Sequence, residues 1–161
     1  MQGLDTEAKV LLGAARFAVL STWSVQEPGY PFGSVVPFLA LPDGRVLLLI
    51  SGLAMHTKNL AADGRCSLMV LAGGAGLDLQ EQGRLTLVCD AVKLPDADVQ
   101  VHKGAWMARH AGQERVVALG DFRFWALTAR QSRMVAGFGK MGWLPGTDWL
   151  KAPVVTEPDR G

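Results

Sequence analysis

The stretch PFLALPDGRVLLLIS (residues 37–51) constrains this chain more than any other. Two apolar runs flank Pro42-Asp43-Gly44. Proline presets the entry dihedral of a turn, aspartate bonds its own backbone, and glycine takes the conformation that closes it. Run, Pro-Asp-Gly, run is therefore a hairpin, and a hairpin is an antiparallel pair. The second run, Val46 to Ile50, is five apolar residues in succession and reads as a buried strand.

The rest of the chain extends the same pattern. FAVLST (17–22), YPFGSVVPFLAL (30–41), CSLMVLA (66–72) and RLTLVCDAVKL (84–94) read as strands. FRFWALTA (122–129) and RMVAGF (133–138) read as a second hairpin turning at Arg130 to Ser132. Asp5 or Thr6 can cap a first helix carrying Ala8, Leu11, Leu12 and Ala15 on one side. A short helix runs from Ala54 to Asp63 and stops at Gly64, and a third opens at Pro95-Asp96 and runs to about Ala111. GGAG (73–76) reads as a flexible loop, and the segment from about 143 as an irregular tail.

About six strands joined mostly by hairpins, with about three helices, imply a mainly β (α+β) fold with a largely antiparallel sheet. A six-stranded split β-barrel decorated by helices is the economical solution, because closure removes exposed edges. With 161 residues, the chain reads as a single domain (1–161). That length buries roughly 70% of the unfolded surface. Charged residues make up only 19% of the chain, which points to apolar surface covered by a partner. The net charge is +1 with scattered cations, which argues against nucleic-acid binding. There is no apolar export signal and no run of membrane-spanning length, so a cytoplasmic protein with no membrane association is expected. Cys66 and Cys89 stand alone in strand-like runs and read as small buried hydrophobes. His102 and His110, on the third helix, lack the partners of a metal set, so no metal site is expected.

The chemistry concentrates after the central strand, where SGLAMHTKNL (51–60) brings Ser51, His56, Thr57, Lys58 and Asn59 together at a helix start. The first amides of a helix lack internal partners and sit at its positive end, so a phosphate is stabilised there by roughly 0.3–1 kcal/mol. A solvated helix start capped by Ser51 or Thr57 accounts for the same residues. Micromolar binding needs about −8 kcal/mol, so a phosphate reading requires an apolar wall nearby. PFGSVVPF (31–38) can be that wall, since Pro37 interrupts a ladder and Gly33 admits close approach. An ordinary edge strand fits equally. Ser51 lies in no nucleophile-elbow pattern, and AGFGKMGW (136–143) lacks the setting of a dinucleotide fingerprint.

These segments together resemble the pyridoxamine-5′-phosphate-oxidase-like FMN-binding split-barrel superfamily, and within it the haem-utilisation branch. The resemblance covers about residues 10–143 and rests on G-x-P-x-x-S-x-V-P (29–37), the Asp-Gly turn, and S-x-L-A-x-H-T-K-N-L (51–60). It implies a split barrel that dimerises, with two FMN sites at the subunit interface. Ser34, Val35, Val36 and Pro37 then match the strand along the isoalloxazine ring, and Ser51 and Leu53 the segment below the ring and ribityl chain. His56, Thr57, Lys58 and Asn59 match the phosphate-binding turn. Arg84 and Leu85 open a strand facing the partner's flavin, and Phe138, Gly139 and Lys140 a late glycine-rich loop near the cofactor. Many members place a lysine or arginine pair where His56 stands. Haem-utilisation proteins carry a C-terminal ligand-bearing lobe, whereas this sequence ends at Gly161.

The resulting expectation is a homodimeric flavin-dependent oxidoreductase whose catalytic residues and small-molecule substrate are undefined. Its rivals are a haem-binding or haem-degrading protein on the same fold, and a flavin carrier or sensor without turnover. Deazaflavin in place of FMN also stays open.

Overall fold

A computed structural model describes residues 3–73, 82–137 and 139–151. In chain order the elements are α1 (Leu4–Ala14), β1 (Phe17–Trp23), β2 (Pro31–Pro37), β3 (Leu39–Ala40), β4 (Val46–Ser51), α2 (Met55–Ala62), β5 (Arg65–Leu71) and β6 (Arg84–Lys93). They continue with α3 (Asp98–Arg109), α4 (Glu114–Ala118), β7 (Phe122–Val135), β8 (Met141–Pro145) and α5 (Asp148–Lys151). The strands form one curled sheet ordered β2-β1-β5-β6-β7-β4-β3, with β8 also on β7, and every pairing is antiparallel. The mainly β architecture expected from the sequence is present. The described residues hold eight strands and five helices against the six and three anticipated.

Three local readings are corrected. Residues 122–135 form one continuous 14-residue strand, not a hairpin. Its first half pairs with β4, and from Trp125 onward it pairs with β6 across a register shift at Val88/Cys89. Arg130 and Gln131 are exposed polar residues on a strand flank, which local sequence cannot tell from a turn. The irregular tail instead contains β8 and α5. The anticipated strand 30–41 breaks at Phe38, whose carbonyl accepts a hydrogen bond from His110 Nε2 at 2.8 Å. His110 ends α3 as its C-cap residue and is buried.

The sheet curls around its core because alternate residues of β1, β5 and β6 are apolar and buried, among them Leu20, Leu68, Val70, Leu85 and Leu87. Leu11 and Leu12 of α1 close one end. Cys66 and Cys89 are direct cross-strand partners in this core, and burial pushes the Cys66 thiol up to about 12. β4 is buried on both faces: Leu48 and Ile50 face the core, while Leu47 and Leu49 meet Trp106 of α3 together with Phe124 and Ala126. That explains its unbroken apolar run. Among the described residues nothing gives the outer face of β2-β1-β5 such cover. Phe17, Val19, Val35, Met69 and Leu71 are all exposed there. No helix among the described residues is long and apolar enough to cross a membrane.

Candidate functional site

The chain leaves β4 at Ser51 and enters α2 through Gly52, Leu53 and Ala54. Ser51 Oγ donates to Asp121 Oδ2 at 2.5 Å and accepts from the Leu53 amide at 3.1 Å. Gly52 N–H donates to the Asp121 carbonyl at 3.0 Å. The Thr57 hydroxyl donates to the Ser51 carbonyl at 2.5 Å. These bonds fix the path into α2, and they commit the Ser51 and Thr57 hydroxyls to the protein itself. Neither caps the helix. The N-cap residue is Ala54, with no side-chain cap, so the first-turn amides of Met55 and His56 stand without an intrahelical acceptor.

Asn59 is a strut. It is fully buried, donates to Thr22 Oγ1 at 3.0 Å and accepts from the Val25 amide at 3.0 Å, tying α2 to the end of β1. Its side-chain amide points inward and is engaged in these two bonds. His56 and Lys58 remain. Lys58 is exposed. His56 is half-buried, its Nε2 has no partner, and burial holds its pKa below the usual histidine value, so the ring is neutral near pH 7. Leu53 projects from the same loop and is exposed.

β2 lies beside this loop as an edge strand, paired among the described strands with β1 alone. Its side chains divide by alternation: Val36 is buried in the core, while Val35 on the opposite face is 70% exposed. Ser34 shares the inward side with Val36, and its Oγ is buried without a partner. Pro37 ends the strand. Ser34 Oγ and His56 Nε2 are thus two orphaned polar atoms contributed by β2 and α2, elements in contact with each other.

The remaining expected residues lie elsewhere in the chain. Ser51 pairs with Phe122 at one end of β7, whereas Arg84 pairs with Val135 at the other. The contour between those ends is about 40 Å at the usual strand rise. Leu85 is buried in the core and Arg84 takes the opposite face. Gly139 sits at a φ of +77°, and Lys140 forms an ion pair with Glu7 of α1 at 2.9 Å. Phe138 lies outside the described residues. One chain therefore does not bring Arg84, Gly139 and Lys140 to the α2 head.

Two features escape sequence reading. Asp121 has no spacing that links it to Ser51, and only the β4–β7 register brings them together. The outward row Val35–Val19–Met69–Thr86–Arg133–Trp143 crosses six strands as successive register partners, ending with Arg133 over the Trp143 ring at 5.5 Å.

The split-barrel topology and the open α2 head accord with a family-model match. The model described as pyridoxamine 5′-phosphate oxidase matches residues 4–136. The chain belongs to the pyridoxamine 5′-phosphate oxidase family. Within reach of this family match, the chain is 35% identical over 133 residues to the chloroplastic non-canonical heme oxygenase HOZ of Arabidopsis thaliana, covering 81% of this chain and 40% of that protein. A heme binding protein from Mycobacterium smegmatis superposes with a TM-score of 0.83 at 26% identity, over 93% of this chain and 61% of that one. The chain thus spans about two fifths of the plant relative and three fifths of the mycobacterial one. The heme storage protein HutZ of Vibrio cholerae shares the fold, with a TM-score of 0.66 at 23% identity over 94% of this chain and 100% of that one.

Proposed function

We propose that this family member is a homodimer that binds FMN at its subunit interface and acts as a flavin-dependent oxidoreductase. The observation that carries the reading is the α2 head: an uncapped helix start flanked by Lys58 and by two buried polar atoms without partners, His56 Nε2 and Ser34 Oγ. The amides of Met55 and His56 would hold the phosphate. Lys58 would add a charge-assisted bond worth about 1.5–3 kcal/mol. His56 would donate as a neutral ring, or gain a proton as the dianion arrives. Ser34 and Val35 place β2 along the attached ring system, while Ser51, Asp121 and Thr57 hold the loop in shape from behind.

The uncovered face of β2-β1-β5 supports the dimer. A contiguous apolar surface of this kind marks an interaction site. When bound, the flavin supplies the redox chemistry, and the protein's part is orientation, exclusion of water and hydrogen bonding to the ring.

The names of the relatives support a second reading, in which the same interface holds haem. The heme oxygenase at 35% identity and the heme binding protein at 26% are the specific findings in its favour. An absorption spectrum of protein purified without added cofactor separates the two. Flavin bands with FMN identified by mass support the first reading, and a Soret band with released haem replaces it with the second. A flavin retained without turnover with any reductant would leave a carrier or sensor.

A further inference from the structure

α1 lies across the end of the sheet where β5, β6 and β7 meet, and it leaves a space beneath itself. A stripe of α1, with Val10 and Ala14 one helical turn apart and Leu11 beside them, faces Leu71 of β5 and Met134 of β7 across a cavity of about 720 Å³. That volume falls within the range of small-molecule sites. The cavity is mostly apolar, with Leu11 and Met134 buried at its back and Val10 and Leu71 exposed nearer the opening.

Its charges are unevenly answered. Glu7 lines the cavity but is paired with Lys140 at 2.9 Å. The Arg109 guanidinium donates to the carbonyls of Leu12, Gly13 and Ala15, which neutralises the negative end of α1 beside the cavity. Arg16, also in the lining, donates from Nη1 to the Arg109 carbonyl, and a guanidinium carries five N–H donors in all. Arg16 is exposed, and among the described residues no carboxylate forms an ion pair with it. The result is an apolar chamber with Arg16 at its rim, a cation that no carboxylate among the described residues answers.

We propose that this cavity binds a small organic acid with an apolar body, its carboxylate on Arg16 and its body between α1 and the ends of β5 and β7. No residue of the α2 head lines it, so within one chain this site is distinct from the helix start proposed for the phosphate. The test uses the full chain and the fluorescent probe 8-anilinonaphthalene-1-sulfonate, displaced by 1-naphthoate or decanoate. Displacement by naphthoate alone identifies a flat acid and by decanoate alone an extended one, and either supports the site. Ala14→Phe and, independently, Val10→Trp fill the space from a solvent-exposed helix face, and each is expected to weaken probe binding at least tenfold without lowering the melting temperature. Arg16→Gln is expected to weaken naphthoate about tenfold, or about 1.4 kcal/mol, and to leave 1-naphthol unchanged. Wild-type probe affinity in both filled variants overturns the site, and displacement by 1-naphthol as effective as by 1-naphthoate overturns the role of Arg16. FMN titration of the same variants is read separately: a chain that binds no FMN but passes these tests loses the flavin reading and keeps this one.

Discussion

Replacing Asn59 with alanine tests whether this residue is a strut or a ligand, because the two roles predict opposite effects on the cofactor-free protein. The fully buried side chain joins Thr22 Oγ1 and the Val25 amide, each at 3.0 Å. Thr22 is 2% exposed, so losing its partner costs about 1 kcal/mol or slightly more. Val25 is exposed, so water can reach its amide and the loss there is about 0.5–1 kcal/mol. Removing packed side-chain atoms adds about 1 kcal/mol. The total is about 2–3 kcal/mol, which in a protein of this size lowers the melting temperature by roughly 5–10 °C. Thermal unfolding of cofactor-free Asn59→Ala, followed by circular dichroism, measures this directly. Thr22→Val in the same background should recover a coupling of about 1 kcal/mol in a double-mutant cycle. An Asn59→Ala protein that melts with the wild type while losing FMN would refute the strut and restore the ligand.

Four further outcomes are expected. Lys58→Ala and His56→Ala should each weaken FMN binding, by about tenfold for the lysine, and leave the apo melting temperature within about 2 °C, as titration and melting on the same samples will show. Thr57→Ala should instead lower that melting temperature, because its hydroxyl is bonded to the Ser51 carbonyl. His56 and His110 are both held below the ordinary value of 6.5, chiefly by burial, with Arg109 and Arg16 adding to the depression at His110. The unfolded chain therefore binds more protons than the folded one as pH falls through 6.5, so stability is lost on acidification. His110→Gln should flatten that slope between pH 7 and 5 in urea melts, and an unchanged slope would remove His110 from the account. Val35→Glu, at a site 70% exposed on the uncovered sheet face, should convert a dimer to monomers in sedimentation velocity without lowering the monomer's helix and strand content.

The strand pattern was legible from residue order because burial imposes a period. Alternation in residues 84–91 and the unbroken run 46–50 are direct records of one buried face and of two. The Pro-Asp-Gly turn is local chemistry, and it stands where expected, with the Leu41 amide donating to the Arg45 carbonyl at 2.8 Å. The cluster from Ser51 to Asn59 was visible as a polar interruption after an apolar strand. Which of its members turn inward and which stay open was not visible, because the helix turns each one differently and sequence spacing does not say what each will meet.

Residue order by itself determined that this chain builds an antiparallel sheet, that a polar helix start follows its apolar central strand, and that a proline interrupts the run 30–41, since those are properties of neighbours along the backbone. Tertiary structure decided the rest. Register placed Asp121 against Ser51 across 70 positions, took Asn59 inward to Thr22, and carried β7 straight through a polar triplet that local propensity reads as a turn. It also separated the α2 head from Arg84 and Lys140. The reason is that a hydrogen-bond ladder fixes positions between strands, and the side chains it juxtaposes share no local signal through which either could announce the other.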